Sequence, residues 1–399
     1  MKLTIKNFRS IRGQVVDLAP ITVVYGPNAT GKSSLLYAML TFKNVILNPN
    51  QNPAGFFSYN FASIGGFDAV VFDHNTKNEI GLDIELHQGE SSIVYGVSIG
   101  ESKGAFRFDA RLPAGPYEQE LQVTFPYPMN QRAIVSLAAQ PGVPALHWNG
   151  VTSQVQSNPQ SDPAAVADLN RFASFLNMPI ELLRRVDVVP LKRGFSRSQY
   201  SPVGVTPLMT SEDEVATWLS VQKYVVSKIS FYLEQIFNHD FRVNVKPGTA
   251  IFSLDSTDRR TGISAELVND GFGINQMVYF LARCLNPDSE WVCVEEPEIH
   301  LHPSAVRGLA KALTRISRDE GKKFVISTHS EGFLLALLAL VAKGELKPDD
   351  LACYLVRKDH KMSVFDRQEV TAKGQVSGGL ASFMEAELED VRAFLAADK

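Results

Sequence analysis

The sequence predicts an α/β fold with a mostly parallel core sheet, an antiparallel β subdomain and a helical insertion. Three observations carry this. Helical patterns at 275–285, 303–318 and 331–342 alternate with the short apolar runs WVCV at 291–294 and FVIS at 324–327. Such βαβα alternation predicts a parallel sheet covered by helices. From Ala69 to about Phe125 apolar and polar residues alternate in VVFD, IGLDIEL, SIVYGVSI and FRFDARL, separated by turn residues, as antiparallel strands require. Finally, the continuous apolar run Ile21–Tyr25 reads as a strand buried on both faces, and it leads through a glycine-containing loop into a helical pattern.

The elements follow in order. Leu3–Phe8 alternates and Val15–Leu18 is short and apolar, so both read as strands. After the loop at 26–34, Leu35, Leu36, Met39 and Leu40 mark one face of a helix. Residues 48–66 and 140–165, rich in Asn, Pro, Gly and Ser, read as loops on either side of the alternating region. Residues 164–185 look helical, and a loop with three basic residues follows, PLKRGFSRSQYSPVGVTP. Ser211 to Glu214 forms a capping box for a long helix, with an apolar stripe from Val215 to Ile236 that stops at Asn238. Strands are expected at Phe241–Val245, Ile251–Asp255 and Ile263–Val268, before the βαβα units. CYLVRKD and KMSVF read as two closing strands, and a helical tail is expected from about Ser382.

Composition narrows the class. The chain has 399 residues, 45% of them hydrophobic, enough to bury about 75% of the unfolded surface without disulfide or metal support. Its net charge of −4 gives no global attraction to nucleic acid or to an anionic membrane, although a local basic patch stays open. Its three cysteines, Cys284, Cys293 and Cys353, lie in apolar runs and read as inert core residues of a reducing compartment. The start MKLTIKNFRSI lacks the apolar stretch of a signal peptide, and FLLALLALVA at 333–342 is shorter than the about 20 residues of a membrane span. A cytoplasmic protein without membrane contact is the expectation.

Three motifs carry chemistry. Gly26-Pro27-Asn28-Ala29-Thr30-Gly31-Lys32-Ser33, followed by Ser34, fits the phosphate-loop pattern and lies between a buried strand and a helix, the context that pattern needs. Its backbone N–H groups and the helix start attract phosphate. Lys32 is expected to reach the β and γ phosphates of a nucleotide, and Ser33 to ligate Mg²⁺. The strand WVCV ends in Glu295-Glu296-Pro297-Glu298, a rigid tip bearing carboxylates. Glu295 is expected to contact Mg²⁺, Glu296 to polarise an attacking water as general base, and Glu298 to cap the Pro303 helix or shape the turn. His300 and His302, with no third ligand nearby, read as turn residues rather than a metal site. FVIS runs into Thr328-His329-Ser330, which places His329 at another strand tip, where it would bond a γ-phosphate or the lytic water.

Together these pieces resemble the ABC-type ATPase head, in the branch shared by SMC-like proteins and the overcoming-lysogenization-defect (OLD) type "AAA family ATPases". MKLTIKNFRSI, GPNATGKSS, SIGGFDAVV, DGFGINQMVYFLARCL, VEEPEIHLHPSA and VISTHSEGFL carry the likeness. It implies a two-lobe P-loop NTPase head that takes ATP and Mg²⁺ and forms an ATP-sandwiched homodimer with composite sites. A signature loop, here Asp270 to Gln276, would then meet the γ-phosphate bound to the other protomer. Gly271 and Gly273 would allow close approach, and Asn275 and Gln276 would donate side-chain bonds. The likeness also implies one domain over 1–399 built from both ends: 1–44 with the phosphate loop, an inserted β and helical region at 45–260, and 261–399 with signature, acidic strand and His329. The chain departs from transporter heads in having Gly271-Phe-Gly-Ile-Asn275 for their Leu-Ser-Gly-Gly-Gln and Glu295 for their Asp, both marks of the OLD-like branch. No Q-loop glutamine stands near Ser63–Asp68. The loop Pro190 to Tyr200 resembles a basic loop of the branch, so Arg193 would approach phosphate or DNA, or else lie solvated.

The leading expectation is an ATP-hydrolysing dimeric switch. The alternative is a nucleotide-gated scaffold with little turnover that regulates a separate nuclease or toxin. The stretch after residue 335 has no acidic cluster with the spacing of the Toprim nuclease many OLD-like proteins append, so a separately encoded effector is expected, with DNA as a second partner class and phage defence or DNA repair as the process. A transporter subunit fits poorly because its signature differs. An SMC-type chromosome protein needs coiled-coil arms that the helix at 211–237 is too short to provide.

Overall fold

The structure is a computed structural model that describes residues 1–113, 115–135, 145–157 and 161–376. Lys2–Phe8 (β1) and Ile11–Asp17 (β2) form a hairpin, followed by Ile21–Tyr25 (β3) and helix Lys32–Leu47 (α1). A one-turn helix Pro53–Phe56 (α2), a small hairpin Ser58–Tyr59 (β4) and Ala62–Ser63 (β5), and a second one-turn helix Phe67–Val70 (α3) come next. Then run Ile80–Gln88 (β6), Ser91–Ile99 (β7), Lys103–Leu112 (β8), Gly115–Thr124 (β9), Ala133–Val135 (β10), Ala145–Trp148 (β11) and Ser153–Gln156 (β12). Helix Pro163–Arg184 (α4), strand Val186–Val189 (β13) and helices Glu212–Val221 (α5) and Lys223–Phe237 (α6) lead to His239–Val245 (β14), Phe252–Asp258 (β15) and Ser264–Glu266 (β16). The chain continues through Phe272–Cys284 (α7), Trp291–Glu295 (β17), Pro303–Glu320 (α8), Lys323–Thr328 (β18), Glu331–Ala342 (α9), Leu351–Asp359 (β19) and Met362–Gln368 (β20).

These elements make two compact units. The first comprises Met1–Leu18, Ser33–Val186 and Lys358–Phe365. Its main sheet has the order β2-β1-β6-β7-β8-β9 and is antiparallel at every step. One face of each strand is buried, as the period-2 patterning requires. A smaller sheet, β10-β11-β12, has its last two strands in the stretch 140–165 that composition marks as loop. Their register, Ala145↔Gln156 through Trp148↔Ser153, comes from the short alternation ALHW, which the surrounding Asn and Ser obscure.

The second unit comprises Ala19–Lys32, Asp187–Arg357 and the described residues from Asp366 on. Its strands belong to the sheet β13-β17-β18-β3-β19-β20, in which β17 and β18, β18 and β3, and β3 and β19 pair in parallel. β3, β17 and β18 are almost wholly buried, which is why they read as unbroken apolar runs. A single core joins Val23, Val294 and Ile326 of the sheet to Leu309 and Leu313 of α8, Ile229 and Leu233 of α6, and Phe280 of α7.

Two further expectations change. The run VVFD is not a strand: Phe67–Val70 is a helical turn and the antiparallel sheet starts at β6. The long helix over 211–237 is two helices, broken at Gln222, whose φ of −99° and ψ of 68° leave the helical region. The apolar stripe continues across the break because both helices bury the same face, and a stripe alone does not register one non-helical residue. Its predicted ends hold: Ser211 and Glu214 make the capping box, and Asn238 closes α6 in a left-handed conformation. The helical tail expected from Ser382 lies outside the described residues.

The buried pair Arg283–Asp187 ties α7 to β13, with Nε to Oδ2 at 3.0 Å and Nη2 to Oδ1 at 2.5 Å. Asp187→Ala would strand the guanidinium in the core. It is expected to lower stability by about 3 kcal/mol, read as a shift in the urea midpoint.

Candidate functional site

Parallel pairing decides where the motifs meet. Register sets Glu295 beside Ser327 across β17 and β18, and Thr328 beside Tyr25 across β18 and β3. Three neighbouring strands therefore end level, and the loops after them carry the phosphate loop, the acidic residues and His329. In open α/β sheets ligands bind at this carboxyl edge.

The phosphate loop turns sharply at Gly26, whose φ is +139°. A Cβ there would stand 2.3 Å from the Val356 carbonyl oxygen of β19, so only glycine fits. Ala29 and Gly31 also take positive φ, of 61° and 100°, and Pro27, Asn28 and Ala29 are exposed at the tip. The Thr30 hydroxyl donates to the Pro27 carbonyl at 2.9 Å and closes the turn. Lys32 is buried, and its ammonium donates to the carbonyls of Gly26 at 2.9 Å and Pro27 at 2.8 Å. Burial pulls its pKa below the ordinary value, while the carboxylates of Glu296 and Glu295 oppose that pull. Ser33, half-buried, and Ser34, buried, belong to the first turn of α1.

At the acidic tip, Glu295 is the last residue of β17 and Glu296 turns out of the strand with a φ of 45°. Its N–H donates to the Ser327 carbonyl at 2.8 Å, which keeps the turn on the β18 edge. Its carboxylate meets His329 Nδ1 at 2.8 Å, with a quarter of the Glu296 side chain and about half of His329 exposed (25% and 54%). The two residues expected to act on the lytic water are thus in contact.

Of the two roles expected of Glu298, it does not cap the next helix but belongs to the turn, where its carbonyl accepts from Leu301 N at 3.0 Å. His302 caps α8 by accepting from Ser304 N, and the Glu298 carboxylate turns inward to accept from the Thr328 hydroxyl. Burial raises its pKa. Arg193 is neither solvated nor offered to DNA. It is 9% exposed and donates through Nη1 to the Glu295 carbonyl at 3.0 Å and through Nη2 to the Glu296 carbonyl at 2.7 Å. Burial lowers its pKa to about 10, with Glu298 the leading opposing charge. Of its basic neighbours, Arg197 is paired to Asp213 at 2.7 Å, and Lys192 is exposed.

The signature segment begins α7. Gly271 is its N-cap at φ 75°, and Phe272 is 76% exposed beside it. Gly273 lies against the turn at 300–301, where an added Cβ would be 3.2 Å from the His300 carbonyl. Asn275 departs from its expected role. Its buried carboxamide accepts from Phe195 N at 2.7 Å and donates to Phe195 O at 2.8 Å, so it is engaged within its own chain. Gln276 is half-buried, and its Oε1 has no hydrogen-bond partner among the described residues.

Sequence reasoning missed the Arg193 clamp, the Asn275–Phe195 pairing and the seat of Gly26 on Val356. The signal for the first was Gly194, which takes φ +122° beside Asn275 and so marks a loop pressed against α7.

Two protein-family models match the chain. One is described as "AAA ATPase domain" and covers residues 1–163. The other is described as "AAA domain, putative AbiEii toxin, Type IV TA system" and covers residues 179–336. None of the curated proteins matches. Among solved structures, the chain is similar to an SMC head domain from Thermotoga maritima, at 11% identity and a TM-score of 0.45 over 92% of this chain and 97% of that one. It is also similar to an Smc head domain with an extended coiled coil, bound to the C-terminal domain of ScpA and derived from Pyrococcus furiosus, at 9% identity and a TM-score of 0.45 over 98% of each chain.

Gly26→Ala should force the phosphate loop off β19. The expected result is loss of nucleotide binding in a titration, with a stability cost of about 1–3 kcal/mol in a thermal melt.

Proposed function

We propose that this ATPase of the AAA family is a dimeric switch that binds ATP with Mg²⁺ and hydrolyses it at the site formed by the phosphate loop, Glu295, Glu296 and His329. The contact between Glu296 and His329 at the strand tips carries the reading. Glu296 acts as general base on the attacking water. His329 orients that carboxylate and has room, being half exposed, to face a γ-phosphate. Lys32 leaves the loop carbonyls for the β and γ phosphates, and the N–H groups of residues 27–33 surround them. Mg²⁺ suits the donors at hand, the Ser33 hydroxyl and the Glu295 carboxylate. Held there, the ion would supply charge neutralisation.

The exposed N-terminus of α7, with Gly271 as its cap, supports an ATP-sandwiched homodimer in which this segment meets the partner's nucleotide. In this scheme 1–44 and 261–399 supply the ATPase parts, and 45–260 the inserted region. No helix among the described residues is long and apolar enough to cross a membrane. The three buried free cysteines suit a reducing cytoplasm. The family matched over 179–336 is described as a putative AbiEii toxin of a type IV toxin–antitoxin system, which supports action within a toxin–antitoxin pair; phage defence through a separate nuclease or toxin rests on the OLD-like resemblance. DNA is the lesser partner, because the basic loop turns Arg193 inward and pairs Arg197.

Lys32→Ala should abolish nucleotide binding. Glu296→Gln should bind ATP and elute as a dimer on sizing with ATP and Mg²⁺, while steady-state phosphate release drops at least about 100-fold. Normal turnover in Glu296→Gln would remove the base from the reading. Wild-type protein that binds ATP yet releases no phosphate, with or without DNA, would favour the scaffold instead.

A further inference from the structure

The loop from Pro190 to Tyr200 touches both halves of the machinery in the second unit. At one end it holds the start of α7. Asn275 grips the Phe195 backbone at both N–H and C=O, as a paired strand would. The Phe195 ring, 3% exposed, sits edge-on to Tyr279 of the same helix with ring centroids 5.5 Å apart. Gly194 has no room for a side chain: a Cβ there would lie 2.9 Å from Asn275 Oδ1. Two residues earlier in the chain, Arg193 holds the carbonyls of Glu295 and Glu296 with the two prongs of one planar guanidinium.

What Arg193 leaves unmade is informative. Its Nε and the Oε2 of Glu298 are both buried, and neither has a hydrogen-bond partner among the described residues. Arg193 and Glu298 are oppositely charged, and each is more than nine-tenths buried. Hydrogen-bonding capacity left unused on a buried guanidinium is costly. The guanidinium points at two main-chain carbonyls. Those carbonyls belong to the residue before the Glu296 turn and to Glu296 itself, which has a left-handed backbone that a non-glycine residue keeps only when its surroundings impose it. On the far side Thr328 bonds Glu298 and accepts from Ser330 N at 2.9 Å, so the turn is braced from β18 as well.

We infer that Arg193 and Asn275 are positioning residues that act as one unit, tying the start of α7 through the 190–200 loop to the backbone that aims the Glu296 carboxylate. Occupation of the α7 N-terminus by a partner's nucleotide is then felt at the base without a long-range movement. Neither residue touches the substrate in this scheme. The inference rests on the assignment of Glu296 as base.

The test is a double-mutant cycle on the full chain, reading kcat and nucleotide Kd separately. Arg193→Gln and Asn275→Ala should each lower kcat about tenfold and leave Kd within about twofold, because positioning is lost while the phosphate loop is intact. The double variant should also fall about tenfold. A fall of about 100-fold would mean independent effects and would overturn the coupling. Unchanged kcat in Arg193→Gln, or a Kd that weakens with it, would overturn the positioning role. Should Arg193→Gln fail to fold, Arg193→Lys keeps the charge and the aliphatic stem but not the planar fork. It should restore the melting temperature without restoring kcat, and full kcat in that variant would sink the proposal. Glu296→Gln in parallel separates the two claims. If it turns over normally, the assigned base fails; if it is dead while the Arg193 and Asn275 variants are normal, only this inference fails.

Discussion

Parallel hydrogen bonding between β17, β18 and β3 is the constraint on which the site depends. A phosphate loop, a carboxylate pair and a histidine are far apart in the chain, and nothing local brings them together. The register does, by ending three adjacent strands at one level: Glu295 beside Ser327, and Thr328 beside Tyr25. A one-residue slip would reverse the faces of every strand residue and carry the acidic tip away from His329. Burial on both faces secures that register, since each strand is packed between helices through side chains such as Val294 and Ile326.

How far this was legible depends on the kind of signal each element carries. Buried parallel strands announce themselves as apolar runs, and the phosphate loop as glycines at fixed spacing, so the core sheet and the Lys32 region could be read without a structure. Short strands such as Ala145–Trp148 could not, because four residues of alternation disappear in a polar stretch. The break at Gln222 was invisible for another reason: one non-helical residue leaves the apolar stripe in phase. Side-chain partners are harder still. Asn275 and Arg193 are polar residues whose types suit ligand contact, and only the fold reveals that each is committed to main-chain groups of its own chain.

Those commitments share a physical logic. A buried polar group lowers its free energy by bonding whatever main-chain group lies nearest, and in doing so it fixes that backbone. Arg193 on the carbonyls at the acidic tip, Lys32 on the loop carbonyls and Asn275 on Phe195 are three instances in one region. They differ in permanence. Lys32 is buried beneath the exposed tip Pro27–Ala29, and the Glu296 and Glu295 carboxylates hold its charge against that burial, so in the proposed reaction a phosphate arriving at the tip competes for it. Arg193 and Asn275 are enclosed and have no such competitor. In the proposed reaction the first bond is exchanged for a phosphate, and the others keep the geometry into which the nucleotide would arrive.

The helical region sets how a nucleotide signal can travel. A long coiled-coil arm would need an unbroken heptad pattern. Here α5 and α6 are separate helices of 10 and 15 residues, and α6 buries Val225, Ile229, Tyr232, Leu233 and Ile236 in the core before Asn238 ends it. A helix spent on the core is no lever, because moving it would expose its apolar face at about 25 cal/mol per Å². Among the described residues, the exposed elements near the site are short: the phosphate-loop tip and the start of α7 at Gly271 and Phe272. In the proposed switch such parts would act by contact at the molecule's own surface, and a reader of the nucleotide state would dock close to the site.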